Sequence, residues 1–200
     1  MSKVARSALV LAVLVRLLTT ATAYAADPYE IDATHSMVGF AVTHMVISTV
    51  KGSFTDFAGT ISYDPANLEK SSVEVRIKVA SIDTRNQKRD DHLRSAEFLH
   101  AEKFPEIVFK SVKITKDSDK YVAAGDLTIR GVTKQVALPF RVTGAVKDPW
   151  GNERIGVALD PITINRMDYG VSWSETLDAG GLVVSNEVTL ELAVEAIKKS

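Results

Sequence analysis

The sequence predicts an all-β fold: an antiparallel barrel or sandwich of about eight strands, with a short helical insert near residues 86–100. Two observations carry this expectation. Short runs of alternating apolar and polar residues recur along the chain, separated by glycine-, proline- and aspartate-bearing turns at hairpin spacing. The alternation stops once, in Asn86–Phe109 (NQKRDDHLRSAEFLHAEKFPEIVF). There Leu93, Ala96, Phe98 and Leu99 follow roughly helical spacing until Phe104-Pro105, and proline cannot continue a helix. A β container with a single insert of this kind suggests an open end that is covered.

The first 25 residues read as a separate segment. Lys3 and Arg6 precede an apolar run from Ser7 to Leu18, and Ala23-Tyr24-Ala25 has the small-x-small form of a cleavage site. These are the marks of a secretory signal peptide, cleaved after about Ala25. Arg16 interrupts the apolar run and weakens it as an export signal. The run is too short to span a bilayer, which takes about 20 apolar residues. Residues 26–200 follow without linker or repeat, so one domain is expected, in the periplasm if the cell has two membranes.

Losing the leader removes Lys3, Arg6 and Arg16 and no acid, which leaves 21 basic against 25 acidic residues, a net charge near −4. That balance suits neither nucleic-acid phosphates nor anionic headgroups, and no stable membrane insertion is expected after cleavage. The chain has no cysteine. Thiol catalysis, a cysteine zinc site and a cysteine-linked lipid anchor are therefore excluded, and a domain of this size needs no disulfides.

The strands follow in order. Tyr29–Asp32 opens the series. Val38, Phe40, Val42 and His44 share one face, since residues two apart point the same way. Lys51-Gly52-Ser53 reads as a turn or bulge, Phe54–Tyr63 as a strand bent at Gly59, and Asp64–Asn67 as a turn. Val73, Val75, Ile77 and Val79 alternate with Glu74, Arg76 and Lys78. After the insert come Ile107–Thr115, Tyr121–Ile129, Gln135–Thr143 and Arg154–Ile164. Asp148–Asn152 forms a turn that sets Trp150 at a rim. Val188, Leu190, Leu192 and Val194 close the series.

Candidate chemistry is sparse. His35, His44, His92 and His100 show no i, i+2 or i, i+4 pair that aims two imidazoles at one metal. No metal or other cofactor is expected. Arg89-Asp90-Asp91-His92 with Arg94 is the densest charged cluster. It reads either as acid–base machinery or a headgroup clamp, or as a helix capping and solvating itself, with Asn86 and Ser95 as N-caps of two short helices. Arg166–Trp173 reads as a buried Arg–Asp pair with aromatic plugs. The serines lie in no G-x-S-x-G elbow, and the glycines form no phosphate-binding loop. Containment remains, because eight strands enclose either side chains alone or one ligand.

The motifs HSMVGF (35–40), GSFTDFAG (52–59), RDDHLRSAEFL (89–99), KFP (103–105), LTIRGVTK (127–134), DPWG (148–151) and NRMDYG (165–170) together resemble the YceI-like family of bacterial, usually periplasmic, polyisoprenoid-binding proteins. The resemblance spans nearly all of residues 26–200 in the right order. It implies an extended, lipocalin-like eight-stranded antiparallel barrel with helices near its mouth, and a long cavity for an isoprenoid tail such as that of a quinone or polyprenyl lipid. It brings no catalytic residues.

Strand parity then nominates Val38, Phe40, Val42, Val75, Ile77 and Val79 as cavity lining. Phe54, Phe57, Phe98, Phe104, Phe109 and Tyr169 are expected to line or close the cavity, with Arg89, Asp90, His92 and Arg94 at its mouth. A bulge would flip any strand's set. The expected partner is an isoprenoid lipid, a homodimer is a possible arrangement, and no enzyme activity is expected. The alternatives are a hydrolase-like enzyme built on Asp90, Asp91 and His92, or a stress-response module with a solid core.

Overall fold

A computed structural model of the protein describes residues 26–178 and 180–199. The expected signal peptide lies outside the described residues. The alternating runs become twelve strands that line up as eight staves. β1 (Asp27–Ile31) and β2 (Met37–His44) share the first, β3 (Ser48–Phe54) and β4 (Phe57–Tyr63) the second, and β5 (Ser72–Lys78) and β6 (Ile82–Asp83) the third. β7 (Glu106–Asp117), β8 (Lys120–Ile129) and β9 (Val132–Lys147) are unbroken. β10 (Glu153–Leu159) and β11 (Ile162–Asn165) share the seventh stave, and β12 (Val184–Lys198) is the eighth.

Each stave pairs antiparallel with its neighbours in sequence. The last returns to the first: Tyr29, Glu30 and Ile31 register with Lys198, Ile197 and Ala196. The result is a closed eight-stranded antiparallel β-barrel, and where the ring is complete no exposed sheet edge is left to invite aggregation.

The two ends differ. At one end, β1, β4, β5, β7, β8, β9, β10 and β12 complete a hydrogen-bonded ring. At the other end the ladder stops between the seventh stave and β9. The Asp160 N–H donates to the Pro139 carbonyl at 2.9 Å, and β11 then pairs only with β12. The insert lies at this second end. Its helix α1 (Gln87–Arg94) is capped by Asn86, whose side chain accepts from the Arg89 N–H at 3.0 Å. Ser95 ends α1 instead of starting a second helix, and residues 96–99 and 101–103 are turns.

Two local expectations change. Lys51-Gly52-Ser53 is not a turn but the middle of β3. The chain reverses at Met45–Ile47 instead. Glycine is needed at 52 for proximity: a Cβ there would lie 2.4 Å from the Phe40 ring and 2.8 Å from Thr84. The bend expected at Gly59 falls at Thr55-Asp56, between β3 and β4. A bulge in β7 between Ser111 and Lys113 turns Val112 out to solvent.

Over the ring end, Arg154 on β10 binds three carboxylates: Asp148 Oδ2 at 2.8 Å, Asp32 Oδ2 at 2.8 Å and Glu195 Oε1 at 2.6 Å. Hydrogen bonds from His35 and then Arg154 hold Asp32 well below the usual carboxylate range, against the effect of burial. At Asp148, burial pushes the pKa up, but bonds from Arg154, from Asn152 and from the Trp150 N–H together outweigh it and hold the group low. Carboxylates with depressed pKa values stabilise the fold above their unfolded value, about 3.9 for aspartate. That stability is lost as pH falls from there through the lower folded values.

Two outcomes are expected. In denaturant titrations from pH 6 to pH 2, the protein loses stability on acidification, and Arg154→Gln is weaker at pH 6 with a flatter acid limb. Gly125→Ala, whose Cβ would meet the Lys110 carbonyl oxygen at 2.4 Å and the Phe109 ring at 2.8 Å, lowers stability by about 1–3 kcal/mol in the same assay.

Candidate functional site

Inward parity on every stave builds one internal cavity of about 280 Å³. On that measure a single water needs about 10–15 Å³, so there is room for on the order of twenty waters. The wall presents almost no polar atoms. Water placed there would lack the two to four polar partners that ordered water requires. The bore runs the length of the barrel. Val42, Val184 and Tyr169 wall the insert end, Ala123 and Leu127 the middle, and Tyr63, Leu68 and Ser71 the ring end.

Of the residues nominated from sequence, Val38, Phe40, Val42, Phe54, Phe57, Val75, Ile77, Phe98, Phe109 and Tyr169 stand on this wall. Val79 does not. β5 stops at Lys78, and residues 79–81 form a 3-10 turn in which the Val79 N–H donates to the Pro105 carbonyl at 2.9 Å, so Val79 is buried beside the insert. Phe104 also stands off the wall. Its ring lies against Gly131 of the β8–β9 turn and edge-on to His100. The wall contributed by β8 and β12, including Ala123, Leu127, Leu190 and Leu192, was not nominated, although its alternation is just as regular.

The charged residues of α1 do not form a single constellation, because successive helical positions point in different directions. Asp90 is buried and accepts from the Thr84 N–H and hydroxyl. Asp91 accepts from Arg94 and Gln87, and His92 pairs with Glu97 at 2.5 Å. Arg89 donates to the Thr84 hydroxyl and carbonyl, and Arg94 to the carbonyls of Ala80 and Ile82. The two arginines thus staple the insert to the third stave. The hydrolase arrangement of Asp90, Asp91 and His92 is not assembled. His92 instead sits edge-on to Phe98 and Trp173, with ring centroids 4.8 and 5.1 Å away. Leu93, Phe98 and Leu99 turn into the bore.

Arg166, in the 3-10 turn Arg166–Tyr169, departs from the expected ion pair. It is 6% exposed and bonds to no carboxylate. Its guanidinium donates to the carbonyls of Ser185, Val171 and Trp173 at 2.6–2.9 Å, and more distantly to Val184 and Asn186. A register break in β12 between Val184 and Val188 takes the Ser185 carbonyl out of the ladder with β2, and the Val171 and Trp173 carbonyls lie in the irregular segment that follows the 3-10 turn. Burial lowers the Arg166 pKa. The residue reaches the bore wall and pins residues 171–173 to β12. Nearby, Arg130 joins the insert to that turn, donating to the carbonyls of Ala96 and Gly170.

Among the described residues one group with metal-ligand chemistry, Asp32, His35 and Glu195, gathers within 4.8 Å outside the bore. Arg154 Nη1 already bonds both of its carboxylates. The group therefore carries its counter-charge in the protein itself.

A model of the YceI-like domain matches residues 29–196. The chain belongs to the YceI-like family. Among curated relatives it is 39% identical to protein YceI of Salmonella newport over 185 residues, covering 92% of this chain and 93% of that one. It is 44% identical to a UPF0312 protein of Photorhabdus laumondii over 142 residues, or 70% and 73% of the two chains. The YceI protein of Campylobacter jejuni superposes with a TM-score of 0.68 at 37% identity, covering 79% of this chain and 90% of that one. Two further solved structures share the fold. Burkholderia cenocepacia BcnA has a TM-score of 0.72 at 24% identity, over 82% of this chain and 98% of that one. A domain of Saccharophagus degradans described as polyisoprenoid binding has 0.62 at 17%, over 86% and 98%.

Replacing Arg166 with Met strands several buried carbonyls at once. Arg166→Met is expected to lose more than about 2 kcal/mol in urea unfolding. Amide exchange should speed up first in residues 171–173 and 184–186.

Proposed function

We propose that this protein is a non-catalytic carrier or store for a polyisoprenoid lipid, such as an isoprenoid quinone or polyprenyl compound, in the periplasm. The supporting observation is the bore, which runs from end to end with almost no polar atom on its wall. Burying an apolar chain is worth about 0.8 kcal/mol per methylene-sized group, so a long tail gains most from a deep dry tunnel. A catalytic cleft would instead need polar groups converging on a reacting atom, whereas Arg89, Asp90, Asp91 and Arg94 are spent on one another, on Gln87 and on residues 80–84. The choice of an isoprenoid among apolar chains rests on family membership and on the description of the Saccharophagus domain.

The tail would enter at the insert end, where the ladder between β9 and β11 is interrupted. A polar headgroup would stay there beside His92 and Trp173, with Arg89 and Arg94 holding the insert in place. The leader read from residues 1–25 supports the periplasmic assignment.

Native mass spectrometry of protein purified without detergent, followed by organic extraction, tests the proposal. A stoichiometric adduct whose fragments step in isoprene units is expected. Ala123→Phe, which fills the middle of the bore, should leave a folded protein without the adduct. A clean apo mass that does not shift with added quinone or polyprenol would overturn the carrier reading.

A further inference from the structure

We propose that the β2–β3 turn, Met45–Ile47, is a tip that dips into a lipid bilayer and sets the mouth of the bore against the membrane that supplies its ligand. This inference rests on the carrier reading above, because a tail insoluble in water is met in a membrane.

The turn breaks two rules together. Met45 and Val46 have φ values of 49° and 64°, a region that hairpin turns normally fill with glycine, asparagine or aspartate. A β-branched residue there is a true outlier. The same three residues are apolar and uncovered, with Val46 65% and Ile47 86% exposed. Strain held at an exposed apolar turn points to a contact made outside the chain.

The tip is also held firmly. The Met45 N–H donates to the Val183 carbonyl at 2.8 Å and the Ile47 N–H to the His44 carbonyl at 3.2 Å. Val46 leans on Gly181, where an added Cβ would come within 2.9 Å of its methyl.

Its position relative to the bore names the occupant. His44 registers with Val184 and Val42 with Val188, so the tip caps a ladder in which Val42, Val184 and Val188 all line the cavity. The tip therefore stands directly beyond the insert-end wall of the bore, separated from it by the His44–Val184 pair. Met167, on the 3-10 turn at the same end, is exposed as well. Between Val38 and Val50 the only titratable side chain is His44, and Lys51 is paired with Glu191. Contact with the bilayer is thus made by apolar insertion and not by attraction to anionic headgroups.

Flotation with phosphatidylcholine vesicles, with and without phosphatidylglycerol, tests the tip. The wild type should bind both kinds of vesicle with little dependence on salt. Ile47→Asp should bind about tenfold more weakly, as expected for removing one large aliphatic side chain from the interface. Trp150→Asp, at the exposed turn of the ring end, should bind like the wild type. Uptake of farnesol from aqueous solution should be equal in all three proteins, while uptake of a prenylated quinone from vesicles should slow only in Ile47→Asp.

Equal vesicle binding by wild type and Ile47→Asp would overturn the proposal. So would loss of binding in Trp150→Asp instead. A concentration-dependent dimer in sedimentation that Ile47→Asp abolishes, without vesicle binding, would also overturn it and assign the tip to a second copy of the chain. Vesicle binding that depends on Ile47 while no isoprenoid enters any of the proteins would support the tip and defeat the carrier reading.

Discussion

The barrel depends on the seam between its first and last staves. Tyr29, Glu30 and Ile31 of β1 pair with Lys198, Ile197 and Ala196, the residues Met37 to Val42 of β2 pair with Ala193 to Val188, and together these ladders turn a curled meander into a ring. Its partners come from the two ends of the described chain, so the loop that must close is nearly as long as the domain. The seam is reinforced at its shorter part, between β1 and β12. The Asp32 N–H donates to the Glu195 carbonyl and the Lys199 N–H to the Pro28 carbonyl, extending the ladder at both ends. Arg154 then ties Asp32 on one side of the seam to Glu195 on the other and to the Asp148 turn of the neighbouring stave.

A closed ring of eight strands around a cavity carries a standing cost, because side chains facing empty space lose the contacts a filled core would give. The protein limits that cost by packing tightly between staves while leaving the axis open. Gly59 and Gly125 sit where a methyl group would strike a neighbouring strand's carbonyl oxygen. Ile155 and Ala196 are almost fully buried where the seventh and eighth staves meet the first. Rigidity in the wall and emptiness along the axis are both what a carrier of a long apolar chain requires.

The ends of the barrel divide the work. The ring end is locked by backbone ladder and ion pairs. The insert end is held mainly by arginines that reach backbone carbonyls: Arg94 to Ala80 and Ile82, Arg130 to Ala96 and Gly170, and Arg166 to Ser185, Val171 and Trp173. Side-chain bonds of this kind can be broken singly, without unzipping a sheet.

Much of this was legible in the sequence. A period of two along each strand is imposed by the pleat, so the inward sets on β2 and β5 and the overall count of eight staves followed from alternation and turn residues alone. The motifs that mark the YceI-like family, such as RDDHLRSAEFL and NRMDYG, were equally plain. Tertiary structure alone decided what depends on contacts between distant segments. Gly52 looked like a turn residue because glycine serves both tight turns and close approaches, and only the position of the Phe40 ring tells which. Val79 kept the parity of β5 but left the bore because Pro105, from the far side of the insert, captured its N–H. Arg166 looked like the partner of Asp168, two residues on. The register break in β12 and the irregular segment 171–173 offered it bare carbonyls instead, and a buried guanidinium goes where the unsatisfied acceptors are.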